Sequence, residues 1–217
     1  MSYTEIYSFD MDGNAHFAAE VHNAWRGAMS VWNIMEERHL PPYIPEYVKL
    51  CNWYHPGMTA EEIEVKNGFK PRRTAPTLGK GDSPAHEIWA LADNQEIPLH
   101  ERIVLFTTFD DCLVKKEDLH RVIEAFRAFE GEDHQGETNL GEQADALEKI
   151  AADPEIIAVG WNQTSVNTDT WCNAGGYDDV KDEPIPYNCL TGDMHYWLFD
   201  EIVCDTNLIY GKKGGHD

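Results

Sequence analysis

Residues 128–211 hold eighteen carboxylates and two lysines, and no compact fold can bury such a segment as a block. An ionised carboxylate taken out of water without a partner is strongly penalised, so these carboxylates make part of the surface strongly negative. It carries most of the chain's formal charge of -22. Residues 65–81 (VKNGFKPRRTAPTLGKG) do the opposite: Lys66, Lys70, Arg72, Arg73 and Lys80 stand there with no acid among them. Charge is thus segregated along the chain. A negative field of this kind repels nucleic acid and anionic membrane and attracts basic partners.

The acidic stretch is not a solvated tail. Across the 217 residues, 42% are hydrophobic and 11% aromatic, whereas disordered acidic segments lack aromatics. A single α+β domain over 1–217 is expected, with a subdivision into 1–127 and 128–217 as the alternative. No apolar run reaches the length of about 18 residues that a membrane helix needs. The N-terminus MSYTEIYSFDMDG has neither the basic nor the apolar region of a secretory signal. Five cysteines (Cys51, Cys112, Cys172, Cys189 and Cys204) include no C-x-x-C pair, which fits reduced thiols in a cytoplasmic protein.

Alternating segments 3–9 and 15–21 flank Asp10-Met11-Asp12-Gly13-Asn14 and read as a β-hairpin. Residues 24–39 read as an amphipathic helix with Trp25, Ala28, Met29, Trp32 and Met35 on one stripe. Thr59 and Glu62 form a capping box, and Ser83-Pro84 starts another helix. Residues 102–109 are a strand or a buried helix, which periodicity cannot separate. Residues 116–129 are a helix with Leu119, Val122, Ile123, Phe126 and Phe129 on one face. Asn139 with Glu142 caps a helix to about Ala152. Residues 155–161 and 194–204 read as strands. The polar segment 162–193 between them is long for a loop, and either hides short strands or is functional.

Phe9-Asp10-Met11-Asp12-Gly13 resembles the first motif of haloacid-dehalogenase-like phosphatases, and Asp110-Asp111 offers a second acidic pair. A metal-assisted hydrolase using Asp10, Asp12, Asp110 and Asp111 is the enzymatic alternative. That chemistry needs a parallel strand before the motif, and a hairpin turn accounts for the same residues. Ten histidines include no H-E-x-x-H pair, and the cysteines show no zinc spacing. No cofactor or metal is expected. Trp161, Trp171 and Trp197 lie in the acidic half and read as core more readily than as interface anchors.

Glu142, Asp145 and Glu148 recur every third residue, which puts them within one arc of a helix as a ladder of charge. Asp178, Asp179, Asp182 and Glu183 are a second cluster, read as a solvated turn with Ca²⁺ or Mg²⁺ binding as the sharper option. Glu130, Glu132, Asp133 and Glu137 complete the set of expected partner contacts. The stretches AWRGAMSVWNIMEERHLPPYIP, GWNQTSVNTDTW and PIPYNCLTGDMHYWLFDE resemble uncharacterised proteins carried by bacterial phages and prophages. The resemblance implies an anti-defence role in a bacterial host cell. There, an acidic protein would block the basic nucleic-acid-binding surface of a CRISPR effector or restriction enzyme. A third reading is self-assembly, the basic stretch of one copy meeting the acidic half of another.

Overall fold

The computed structural model describes residues 3–22, 28–40, 84–109, 111–132, 138–163 and 170–202, together with Gly57, Thr59 and Glu62. The fold is mixed α+β, opening on an N-terminal β-hairpin, continuing through helices and returning to strands. The elements group into two units, Met1–Val31 with Ala92–Asp217, and Trp32–Leu91.

In the larger unit, β1 (Tyr3–Asp10) and β2 (Ala15–His22) pair antiparallel. Helix α1 (Ala28–His39) begins in this unit. Helix α2 (Pro84–Asp93) ends in it, and α3 (Leu99–Phe106), β3 (Cys112–Lys115), α4 (Leu119–Glu132) and α5 (Leu140–Ala151) follow. The chain then makes β4 (Ile156–Gln163), α6 (Thr170–Asn173) and the two-residue strands β5 (Tyr177–Asp178) and β6 (Glu183–Pro184). It closes with β7 (Tyr196–Trp197) and α7 (Leu198–Glu201). The main sheet has the order β2-β1-β4-β3-β7, antiparallel except between β3 and β7.

Alternation along each strand divides the core in two. On one face lie Ile6, Val114 and Trp161, and the Trp161 ring meets Phe126 of α4 at 6.2 Å. Helix α4 presents the expected apolar face, with Leu119, Val122, Phe126 and Phe129 buried and Ile123 half-buried, and packs between α3 and α5. On the other face Tyr7, Phe9, Ala15, Leu113 and Ala158 pack under residues of the 170–197 segment.

In the smaller unit Met35 is buried, and the rings of Trp32 and Trp89 meet edge-on at 6.5 Å. The Thr59 amide donates to Glu62 Oε2 at 2.8 Å and the Glu62 amide to Thr59 Oγ1 at 3.3 Å, so the capping box forms. Trp25, Cys51, Cys204, Asp110 and the basic stretch 65–81 lie outside the described residues.

One open choice is decided and two local expectations change. Of the strand and the buried helix left open for 102–109, the chain forms the helix, Leu99–Phe106, in which Arg102 donates from Nε to the carbonyl of Ala92 at 2.7 Å. The segment from 194 is strand only at Tyr196–Trp197. Asp200 and Glu201 then fall in the first turn of α7, where a helix N-terminus favours carboxylates. Asn139 is at the N-cap of α5 but makes no capping bond. Its side chain instead accepts from Gln143 Nε2 at 2.7 Å and donates to the His22 carbonyl at 3.3 Å.

Candidate partner interface

Residues of the 170–195 stretch form an outer layer over the second sheet face before the chain joins the sheet edge as β7, and the segment 170–202 as a whole holds seven carboxylates and one lysine. Trp171 anchors it. The indole is fully buried, stands edge-on to Phe9 at 5.5 Å and donates from Nε1 to the Trp161 carbonyl at 2.9 Å. Gly160 makes room for it: a Cβ there would lie 2.6 Å from Leu113 Cδ2 and 3.3 Å from the indole. Replacing Gly160 with alanine is therefore expected to destabilise the fold by about 1–3 kcal/mol, read from chemical unfolding.

A second anchor is the β1–β2 turn. Asp10 Oδ1 accepts from the amides of Asp12 and Asn14, both at 2.9 Å. Asn188 Nδ2 donates to the Asp12 carbonyl and to Asn14 Oδ1, while its Oδ1 accepts from the amides of Leu190 and Thr191. The turn and the loop at 187–191 thus hold each other. Asp10 Oδ2 also meets His16 Nε2 at 2.7 Å. Burial pushes the Asp10 carboxyl up, but bonds from His16 and the Asn14 and Asp12 amides outweigh it, and the group lies below its ordinary value.

The expected contact residues divide by how their charge is already used. Glu142, Asp145 and Glu148 are all exposed on one side of α5, as their spacing predicts. Arg127 of α4, however, reaches both Asp145 at 3.1 Å and Glu148 at 3.0 Å. A phosphate ladder has no such fixed cation, and only Glu142 is left outside that bridge. Asp178, Asp179, Asp182 and Glu183 fall on the β5–β6 hairpin. There Asp178 Oδ1 accepts from the amides of Val180 and Lys181, and Asp182 accepts from the Tyr177 hydroxyl at 2.7 Å. Lys181 lies 3.7 Å from both Asp178 and Glu183. Asp179 stays fully presented beside Val180, which is 94% exposed. Glu130 and Glu132 are in the last turn of α4, and Asp133 and Glu137 lie outside the described residues. Asp193, exposed in the same outer layer, is a further presented carboxylate that isolated spacing along the sequence did not single out.

The tryptophans are mainly core, Trp161 and Trp171 buried and Trp197 partly so. Burial pushes the Cys112 thiol up to about 12 and the Cys189 thiol to about 11, which suppresses the thiolate a nucleophile needs. Asp10 and Asp111 do not converge. Phe9 is level with Ala158 and Lys115, so Asp10 lies beyond that end of β3 while Asp111 precedes its start. Five residues of strand separate them, roughly 16 Å at the usual rise. Strand β1 is also antiparallel to both neighbours, unlike the parallel strand a phosphatase motif requires. Among the described residues, no group of three or more His, Cys, Asp or Glu side chains could hold a metal, and no helix is long and apolar enough to cross a membrane.

Tyr187 and His195 pin the outer loop. The Tyr187 hydroxyl accepts from the Met194 amide at 2.9 Å and meets His195 Nδ1 at 2.8 Å. Burial raises the phenol, helped by Asp193 and Asp111 and opposed by the backbone bonds from Met194 and His195. Burial holds His195 below its ordinary value. Below the unfolded-state value of about 6.5 the unfolded chain binds a proton that the native one refuses. Stability present above that pH is therefore lost as pH falls through the folded value. H195Q is expected to flatten this part of the stability curve. An unchanged slope between about pH 7 and 5 would assign it to another group.

No protein-family model matches the chain, and no curated protein or solved structure is significantly similar to it.

Proposed function

We propose that this is a non-enzymatic interaction protein of phage or mobile-element type. Its acidic outer layer would cover a basic, nucleic-acid-binding surface on a host defence protein such as a CRISPR effector or restriction enzyme. The observation that carries this reading is the segment 170–202, with seven carboxylates against one lysine and apolar Val180 and Leu190 exposed among them. An interface wants apolar contact inside a polar rim, and carboxylates held in place steer association with lysine and arginine. The α5 ladder is a weaker contributor, because Arg127 already occupies two of its three rungs.

The test is capture from a bacterial lysate across a salt gradient. The captured protein should bind nucleic acid, be displaced by added duplex DNA or RNA, and be lost as salt rises, since charges are screened beyond about 8 Å at physiological ionic strength. The variant D179N/D193N/E142Q removes carboxylates that no ion pair ties down. It should weaken capture with the melting temperature kept. Capture indifferent to salt and to this variant would rule the reading out.

A further inference from the structure

We infer that the open face of the N-terminal hairpin is a binding site for the cationic end of an arginine or lysine side chain. It lies on β1, β2 and β4, on the sheet face that the 170–197 segment also covers in part, but it uses none of that layer's carboxylates, and its test needs no partner protein, so the two readings stand or fall separately.

Glu5 and Glu20 are direct cross-strand partners, and Asn162 stands opposite Glu5 on its other side. The three make one row across the sheet. Like charges placed directly opposite are destabilising, yet neither glutamate is joined to a cation among the described residues. At the inner end of the row Asn162 is 2% exposed. It donates from Nδ2 to Glu5 Oε2 at 2.9 Å, but its Oδ1 has no donor. A buried acceptor left unpaired is costly, so carboxylates and amide oxygen together ask for a positively charged N–H donor.

The walls of the row fit the same ligand. On one side Tyr7 and Phe17 meet edge-on at 5.8 Å, and on the other Tyr3 and His22 do so at 5.5 Å. Phe17 is 52% exposed and Glu20 and His22 are exposed too, whereas Tyr7 and Asn162 are buried, so the row opens at its β2 end. Tyr7 Oη donates to Glu5 Oε2 at 2.9 Å and fixes that carboxylate. A guanidinium or ammonium group gains from carboxylates by charge-assisted hydrogen bonds and from ring faces by cation–π attraction. A calcium ion is a poorer match, because it wants about 6–8 oxygen ligands and the flanks are aromatic.

Titrating the isotope-labelled full chain with Nα-acetyl-arginine amide or Nα-acetyl-lysine amide should give saturable NMR shifts at Glu5, Glu20 and Asn162. Nα-acetyl-citrulline amide, neutral and isosteric with the arginine probe, should not. E20Q should weaken binding on the order of tenfold, as loss of a charged hydrogen-bond partner does. E20K supplies a cation within the chain, so it should raise the melting temperature and abolish the response. No saturable response to either cation, an equal response to citrulline amide, or unchanged binding in E20K each overturns the site. Tighter saturation of the same residues by calcium chloride would also overturn it, as a metal site.

Discussion

Replacing Trp171 with alanine is expected to cost about 3–5 kcal/mol, a large part of the roughly 5–15 kcal/mol that holds a domain folded. The indole is the largest fully buried side chain of the described residues and joins three pieces of structure. It packs edge-on against Phe9 of β1, sits over Gly160 of β4, and tilts against Tyr187 at 5.3 Å. Its removal leaves a cavity under the acidic layer, where like-charge repulsion already works against compaction. The loss should show as a lower urea midpoint, and as a steeper salt dependence of stability because screening then matters more. W171F should recover part of the loss by refilling the cavity, though without the bond to the Trp161 carbonyl. A W171A cost under about 1 kcal/mol would mean the outer layer is not packed on the sheet, since surface changes fall in that range. The acidic-layer reading would then lose its rigid platform.

What the sequence disclosed follows the range of the forces involved. The hairpin was legible because Asp10 to Asn14 is turn chemistry between alternating segments. Helix α4 was legible because Leu119, Val122, Phe126 and Phe129 recur at helical spacing. The layer over the sheet was not, because Trp171, Tyr187 and Cys189 belong to a helix of four residues and to loops that have no period. Nor could the spacing along α5 reveal that Arg127 of α4, eighteen residues from Asp145, would bridge two rungs of its ladder.

The Glu5–Glu20 pair was hidden more deeply. Counting back from Phe9 opposite Ala15, an unbroken hairpin would place Glu5 opposite Ala19 and send Glu20 to the other face. The register instead slips by one between Ile6 and Tyr7, with Tyr7 opposite Phe17 and Ile6 opposite Ala19. A one-residue slip exchanges the two faces. Here it buries Val21 opposite Thr4 on the helix side and brings Glu20 beside Glu5. The apolar residue that gains from the slip is thus what places two like charges face to face.

Gly13 is the position where turn chemistry and docking of the outer layer can be told apart. Its φ of 85° is in the left-handed region, which costs an L-residue about 1–2 kcal/mol. A Cβ there would also lie 2.7 Å from Leu190 Cγ and 2.8 Å from Asn188 Oδ1. Leu190 is exposed and can swing aside. Asn188 cannot, because both ends of its amide are bonded to the turn and to its own loop. Overpacking adds about 1–3 kcal/mol, so G13A should lose about 2–4 kcal/mol in urea unfolding. Gly176 is the internal control. Its φ of 101° is also left-handed, but a Cβ there meets nothing within 4 Å, so G176A should pay only the backbone share. If G13A proved no more costly than G176A, the loop at 187–191 would not be seated against the turn. A clear excess in G13A measures how firmly the sheet's end holds the acidic layer, and therefore how little order that layer has left to lose when a basic surface meets it.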